Sequence, residues 1–354
     1  MNLQNRKIIV VLSGGGAVGS AQWGVLRQMK KLGVPIHAIF GISVGTLNGS
    51  MVAMEEWELL DELWNSVIEK GHTVIYDSKY LTVEGSKLNV NVDALVKDIA
   101  PKLSFDTIWK LLSKKGRDKL VKEVFERAGE IKSIASNQPL QNLLTNYIDQ
   151  SKFKIPFYFG SVSLADGNYH LHTPADFPNN SNLVKGLTAS ATMPLVWEPI
   201  AEIQTNYETI YNAVDGGLRT ISPLGDAVNY IQNISKTDPV DAEIIIINCN
   251  NGKVDPLTGN MNLFTIANRS LNEITLSQIL LNDIQQFIRI NNMVVQSPVE
   301  LLSSTGKEYK AFKYRIIQPE DSSLSGVLDF SPEMLLKRKQ WGELQALKTF
   351  QDFQ

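Results

Sequence analysis

An α/β domain built on a parallel sheet, with a helical insert, is the fold this sequence predicts, on three observations. The chain opens as strand, helix, strand, helix, the order that begins a parallel sheet. Its first strand is too apolar to have a wet face, as strands covered on both sides are. Its 354 residues, 43% hydrophobic and 20% charged, supply the core of one large domain without a long linker or internal repeat.

The first strand, Lys7-Ile8-Ile9-Val10-Val11-Leu12, is β-branched and continuous, and Ser13 to Gly16 form a tight glycine loop. A helix from Gly19 to Leu32 places Ala21, Val25, Leu26, Met29 and Leu32 on one broad face, with Gly33 to end it. The second strand, Ile36 to Phe40, runs into Gly41-Ile42-Ser43-Val44-Gly45 and a helix through about Met54. Residues 57–150 read as a mostly helical, more polar insert. Within it, Asp106 to Arg127 interleaves Lys110, Lys114, Lys115, Arg117, Lys119 and Lys122 with apolar residues as a basic amphipathic segment. Phe153 to Leu164 reads as a strand that turns at Asp166-Gly167 into Asn168 to His172. A short helix from about Asn182 ends near Met193-Pro194, a strand precedes Asp215, and Pro223 opens another helix. Ala242 to Cys249 is a buried strand, Leu263 to about Asn292 a long helix, and Tyr309 to Ile317 a strand. Ser331-Pro332-Glu333 starts a capped C-terminal helix.

Composition removes several classes of function. A formal charge of −3 lacks the positive excess that a dedicated nucleic-acid binder needs. A single cysteine, Cys249, makes neither an internal disulfide nor a cysteine-based zinc site. Of four histidines only His170 and His172 are close, two apart on one strand face, and a catalytic zinc wants three protein ligands. They read as structural, and no metal or cofactor is implied. Five apolar residues, Ile8 to Leu12, are too few for a secretory signal, and no apolar run reaches membrane-spanning length. The expectation is a soluble, cytoplasmic protein.

The strongest chemical feature is Gly41-Ile42-Ser43-Val44-Gly45 between a predicted strand and a predicted helix. A nucleophile elbow needs this arrangement, with the serine on a strained turn and glycines that let strand and helix approach. The helix that follows adds its N-terminal dipole and the Val44 amide beside the reacting oxygen. Gly14, Gly16 and Gly19 also satisfy the dinucleotide pattern G-x-G-x-x-G, which requires an acidic residue about 20 positions later. None occurs between Gly19 and Met54, so that reading fails. In the other reading Gly14, Gly15 and Gly16 turn backbone N–H groups towards a developing oxyanion.

A serine nucleophile needs a base. No histidine follows His172, so the order serine, acid, histidine is unavailable. The remaining candidate is Asp215 in Val214-Asp215-Gly216-Gly217, a sequence that by itself also reads as a turn.

Taken together the chain resembles the patatin-like phospholipase family. The resemblance rests on Gly14-Gly15-Gly16-Ala17-Val18-Gly19, Gly41 to Gly45 and Asp215-Gly216-Gly217, in that order. Weaker matches are Gly24-Val25-Leu26, Ala189-Ser190-Ala191-Thr192-Met193-Pro194, and Pro223. It covers about residues 7–230. It implies a three-layer α/β/α fold with a mostly parallel central sheet, a catalytic core over 5–235 with the insert at about 57–150, and a C-terminal part, 236–354, that completes the sheet and its helical cover. It also implies a serine acyl hydrolase that cleaves fatty-acyl esters of lipids without a metal. In that reading Ser43 is the nucleophile, Asp215 the general base, and Gly14, Gly15, Gly16 and Val44 the oxyanion hole. Val18 stands where the family often carries Arg or Lys, so an acyl ester is implied more firmly than a phosphate contact. The alternatives are a carboxylesterase or thioesterase for small acyl groups and a non-catalytic lipid-binding scaffold. The basic segment around Lys110 to Lys122 reads either as a solvated helix face or as a surface that meets membranes peripherally. Trp57, Trp64 and Trp109 read as helix-packing residues.

Overall fold

Along the first strand, side chains alternate between two cores. Ile8, Val10 and Leu12 enter one hydrophobic cluster and Ile9 and Val11 the other, every one of them fully buried. Such two-faced burial needs a helical layer on each side, and the computed structural model has both. It describes residues 6–84, 87–91, 94, 133–236, 240–254, 256–257, 261, 263–303, 306 and 308–353. The basic segment, with Trp109, lies outside them.

The elements in chain order are β1 (Lys7–Leu12), α1 (Gly19–Lys31), β2 (Ala38–Gly41), α2 (Val44–Ala53), α3 (Trp57–Lys70), β3 (Leu81–Glu84), β4 (Lys87–Val90), α4 (Gln138–Tyr147), β5 (Phe157–Ser163), β6 (Tyr169–His172), α5 (Asn180–Ser190), β7 (Ile200–Gln204), β8 (Thr209–Asp215), α6 (Leu224–Ile234), β9 (Ala242–Ile247), α7 (Leu263–Asn268), α8 (Leu276–Gln296), β10 (Lys313–Ile317) and α9 (Pro332–Thr349). The main sheet runs β10-β9-β1-β2-β5-β8-β7, with β6 also paired to β5. The five strands from β10 to β5 are mutually parallel, whereas β6, β8 and β7 enter by antiparallel pairing. The architecture is therefore α/β/α around a mixed, mostly parallel sheet. β9 and β10, from the last third of the chain, extend that sheet beyond β1.

Helices α1, α2, α3 and α9 cover one face, and α6 and α8 the other. Helix α1 ends as its glycine predicts. Gly33 has φ +67°, and the amides of Gly33 and Val34 return to the carbonyls of Lys30 and Met29, a Schellman closure. Helix α9 lies so close to α1 that a Cβ on Gly24 would sit 2.0 Å from the Lys339 carbonyl oxygen. Among the described residues no helix is long and apolar enough to cross a membrane.

Four local expectations differ from the structure. The β3–β4 hairpin lies in a stretch read as helical, and β7 was not anticipated as the partner of β8. The long C-terminal helical pattern is interrupted by a π-helical segment, Arg269–Thr275, between α7 and α8. Ser331 does not cap α9 with its hydroxyl, which donates instead to Asp329 Oδ1 at 2.7 Å.

Candidate active site

Parallel strands end where their helices begin, and the candidate residues converge there. Ser43 occupies the turn between β2 and α2 with φ 56° and ψ −125°, a conformation that L-residues adopt only when the surroundings force it. The two flanking glycines are required by contact. A Cβ on Gly41 would lie 2.5 Å from the Gly45 carbonyl oxygen, and one on Gly45 2.3 Å from that of Leu12.

Asp215 closes β8, 172 residues further along, and its side chain is brought within hydrogen-bond reach of the Ser43 hydroxyl. Its Oδ1 also accepts from the Gly217 amide at 2.8 Å. The residue is only 8% exposed. Burial pushes it from 3.8 up to about 7, against the opposing pull of the Gly217 and Ser43 hydrogen bonds. Near neutral pH it is thus poised between acid and base.

The segment 189–194, a weak match in the sequence, touches both residues. Ser190 Oγ receives the Ser43 amide at 3.4 Å and shares a hydrogen bond with Thr46 Oγ1 at 2.8 Å. The Thr192 carbonyl accepts the Asp215 amide at 2.9 Å, and the Thr192 hydroxyl is held by Asn137. Ser190 carries only the weak signal of the segment 189–194 in the sequence, and Asn137 is an ordinary polar residue until the chain folds.

Gly14 needs a correction. Its amide already donates to the Ile221 carbonyl at 3.0 Å, so it has no N–H to offer an oxyanion. The Gly15, Gly16 and Val44 amides have no acceptor among the described residues, and all three residues line the same cavity as Ser43 and Asp215. Gly16 has φ +54°, and a Cβ there would lie 2.3 Å from the Val327 carbonyl oxygen, so only glycine fits.

The cavity measures about 350 Å³. Leu47, Leu63, Trp64, Val67, Leu140 and Phe330 make an apolar wall, and all six are buried. Lys253, Asn250 and Ser325 stand at its rim. Trp64 therefore serves two ends. It packs against Trp23 with ring centres 6.2 Å apart and also faces the cavity.

The histidines lie elsewhere. His37 Nδ1 accepts the Ile8 amide at 3.0 Å, a cap at the start of the sheet. His172 is buried, shares a hydrogen bond with Ser161 at 2.9 Å, and is pushed down to about 3 by desolvation, so it is neutral. His170 contacts Glu208 at 3.0 Å.

A family model described as patatin-like phospholipase matches residues 10–228, well over half of the chain. The chain belongs to the patatin-like phospholipase family. Over 53 residues it is 45% identical to patatin-like phospholipase domain-containing protein 7 of Mus musculus and 43% identical to Lysophospholipase nte1 of Aspergillus terreus. Each match covers 15% of this chain and only 4% of the relative's length. Among solved structures, VipD from Legionella pneumophila aligns over 99% of this chain and 67% of its own, with 12% identity and a TM-score of 0.40. The family match stops before β9, so α8, β10 and α9 lie beyond it.

Proposed function

We propose that this patatin-like chain is a serine acyl hydrolase that cleaves fatty-acyl ester bonds of lipids. One observation carries the reading. Ser43 and Asp215 line one cavity, with an apolar wall and a polar rim, and the buried Asp215 carboxyl lies close enough to the Ser43 hydroxyl to feel it. Such a cavity suits an acyl chain inside and its alcohol portion outside.

In the proposed reaction Asp215 takes the Ser43 proton as Oγ attacks the ester carbonyl carbon. The amides of Gly15, Gly16 and Val44 hold the tetrahedral oxyanion, helped by the N-terminus of α2. The intermediate collapses, the C–O bond to the alcohol breaks, and the alcohol leaves with the proton from Asp215. Water then gives a proton to Asp215 and attacks the acyl-enzyme. Collapse frees the fatty acid and returns the proton to Ser43. A carboxyl near 7 suits both directions of proton transfer better than one near 4.

The test is labelling with a fluorophosphonate probe and hydrolysis of a medium-chain nitrophenyl ester. The unaltered chain is expected to label at Ser43 and turn over. Ser43→Ala and Asp215→Asn are expected to fold and to lose ester hydrolysis. A folded chain that neither labels nor turns over would be a scaffold, and full turnover by either variant would remove the dyad.

A further inference from the structure

The two unbonded amides, Gly15 and Gly16, sit between two tied ones. On one side the Gly14 amide is fixed to the Ile221 carbonyl at 3.0 Å, and on the other the Ala17 amide is fixed to the Val327 carbonyl at 2.8 Å. The glycine loop is thus held at both ends by carbonyls of two other loops, and its precision is theirs.

Each of those loops is in turn organised by one charged side chain from beyond the family match. Asp283, on α8, accepts from the Thr220 hydroxyl and the Ile221 amide at 3.1 Å each and from the Ser222 amide at 3.3 Å, all at Oδ2. Arg338, on α9, is fully buried. Its guanidinium donates to the carbonyls of Leu324 at 2.9 Å, Asp329 at 2.8 Å, Ser325 at 2.6 Å and Gly326 at 3.1 Å. One planar cation therefore gathers the loop 324–329 around itself, a geometry that only a forked donor can span. Neither side chain lines the cavity.

We infer that Asp283 and Arg338 are positioning residues that set the oxyanion amides of Gly15 and Gly16 through the loops 220–222 and 324–329. The inference rests on the hydrolase reading above and gives the C-terminal part of the chain a task in it. Preorganised donors act only when aimed at the place where charge develops, and a displacement of about 1 Å costs on the order of 100-fold.

The experiment uses the full chain with Asp283→Ala, Asp283→Asn and Arg338→Lys, each corrected for active fraction by titration. Three readouts are compared: kcat and KM on one ester, affinity for a trifluoromethyl ketone that adds to Ser43 and forms an oxyanion, and affinity for a non-reacting ether analogue. Asp283→Ala and Arg338→Lys are expected to lower kcat at least tenfold with KM within twofold. The ketone is expected to weaken in parallel and the ether to be unaffected. Asp283→Asn keeps an acceptor oxygen and is expected to restore kcat to within about threefold. If Arg338→Lys does not fold, the two Asp283 variants decide. Unchanged kcat in Asp283→Ala, or ketone and ether affinities that fall together, would overturn the assignment. No ketone adduct at Ser43 in the unaltered chain would instead overturn the nucleophile, and this inference with it.

Discussion

Asp215→Asn removes a buried carboxyl that the fold holds partly protonated, and the penalty it relieves follows from the surroundings. Burial lifts Asp215 from 3.8 to about 7. Between those values the folded chain keeps the proton while the unfolded chain has released it. Stability therefore falls as pH rises from about 4 to about 7 and then levels. At ~1.4 kcal/mol per tenfold change, the ionised carboxylate destabilises the fold by roughly 4 kcal/mol above that window. The variant carries no buried charge at this position. Urea unfolding of both proteins at about pH 4 and pH 8.5 is expected to show the difference shifting by roughly 4 kcal/mol in the variant's favour. His172, pushed down to about 3, acts in the opposite sense as pH falls through the ordinary histidine range. It is present in both proteins and cancels in the comparison. In the proposed mechanism the same ionisation controls turnover, because a base at about 7 is about 1% ionised at pH 5 and about 90% at pH 8. The kcat/KM of the unaltered chain is thus expected to rise close to 100-fold over that interval. A stability difference independent of pH, or a rate profile flat from pH 5 to pH 8, would refute the reasoning.

Lys253 is the one cation among the described residues lining the cavity, and it is exposed at the rim. Lys253→Ala is expected to lower kcat/KM about fivefold on phosphate-bearing acyl esters and to spare neutral ones, which a paired substrate assay checks. Across a series of straight-chain esters, kcat/KM is expected to climb about fourfold per added methylene until the apolar wall is covered, from ~0.8 kcal/mol of burial each. A profile that falls from the shortest ester would favour small acyl substrates. Gly24→Ala is expected to destabilise by about 1–3 kcal/mol, because its methyl meets the Lys339 carbonyl 2.0 Å away and α9 must move; the urea midpoint reports it.

The parts legible in the amino-acid order are those in which a short run of residues carries the whole constraint. The alternating burial of Ile8 to Leu12 follows from a β-branched run with no polar interruption. The turn at Ser43 is readable because Gly41 and Gly45 lack the Cβ that would meet carbonyl oxygens at 2.5 and 2.3 Å. Asp215 was reached by elimination and by resemblance, since Asp-Gly-Gly alone is an ordinary turn. The β7–β8 hairpin escaped because β7 carries Glu202 and Gln204 and has little strand patterning of its own. Gly14 was grouped with its neighbours because nothing local distinguishes three adjacent glycines. The distinction comes from Ile221, more than 200 residues away.

Local order thus dictated where the backbone turns sharply, which strands are covered on both faces, and that a hydroxyl and a carboxyl stand at strand ends. Folding decided the surroundings of these groups: the lift of Asp215 to about 7, the choice of which amides are left unbonded, and the recruitment of Asp283 and Arg338 to the loops beside them. The reason is one of range. Torsional preference and steric clearance are properties of a few consecutive residues, whereas desolvation and hydrogen-bond supply depend on every segment packed around a group, however distant along the chain.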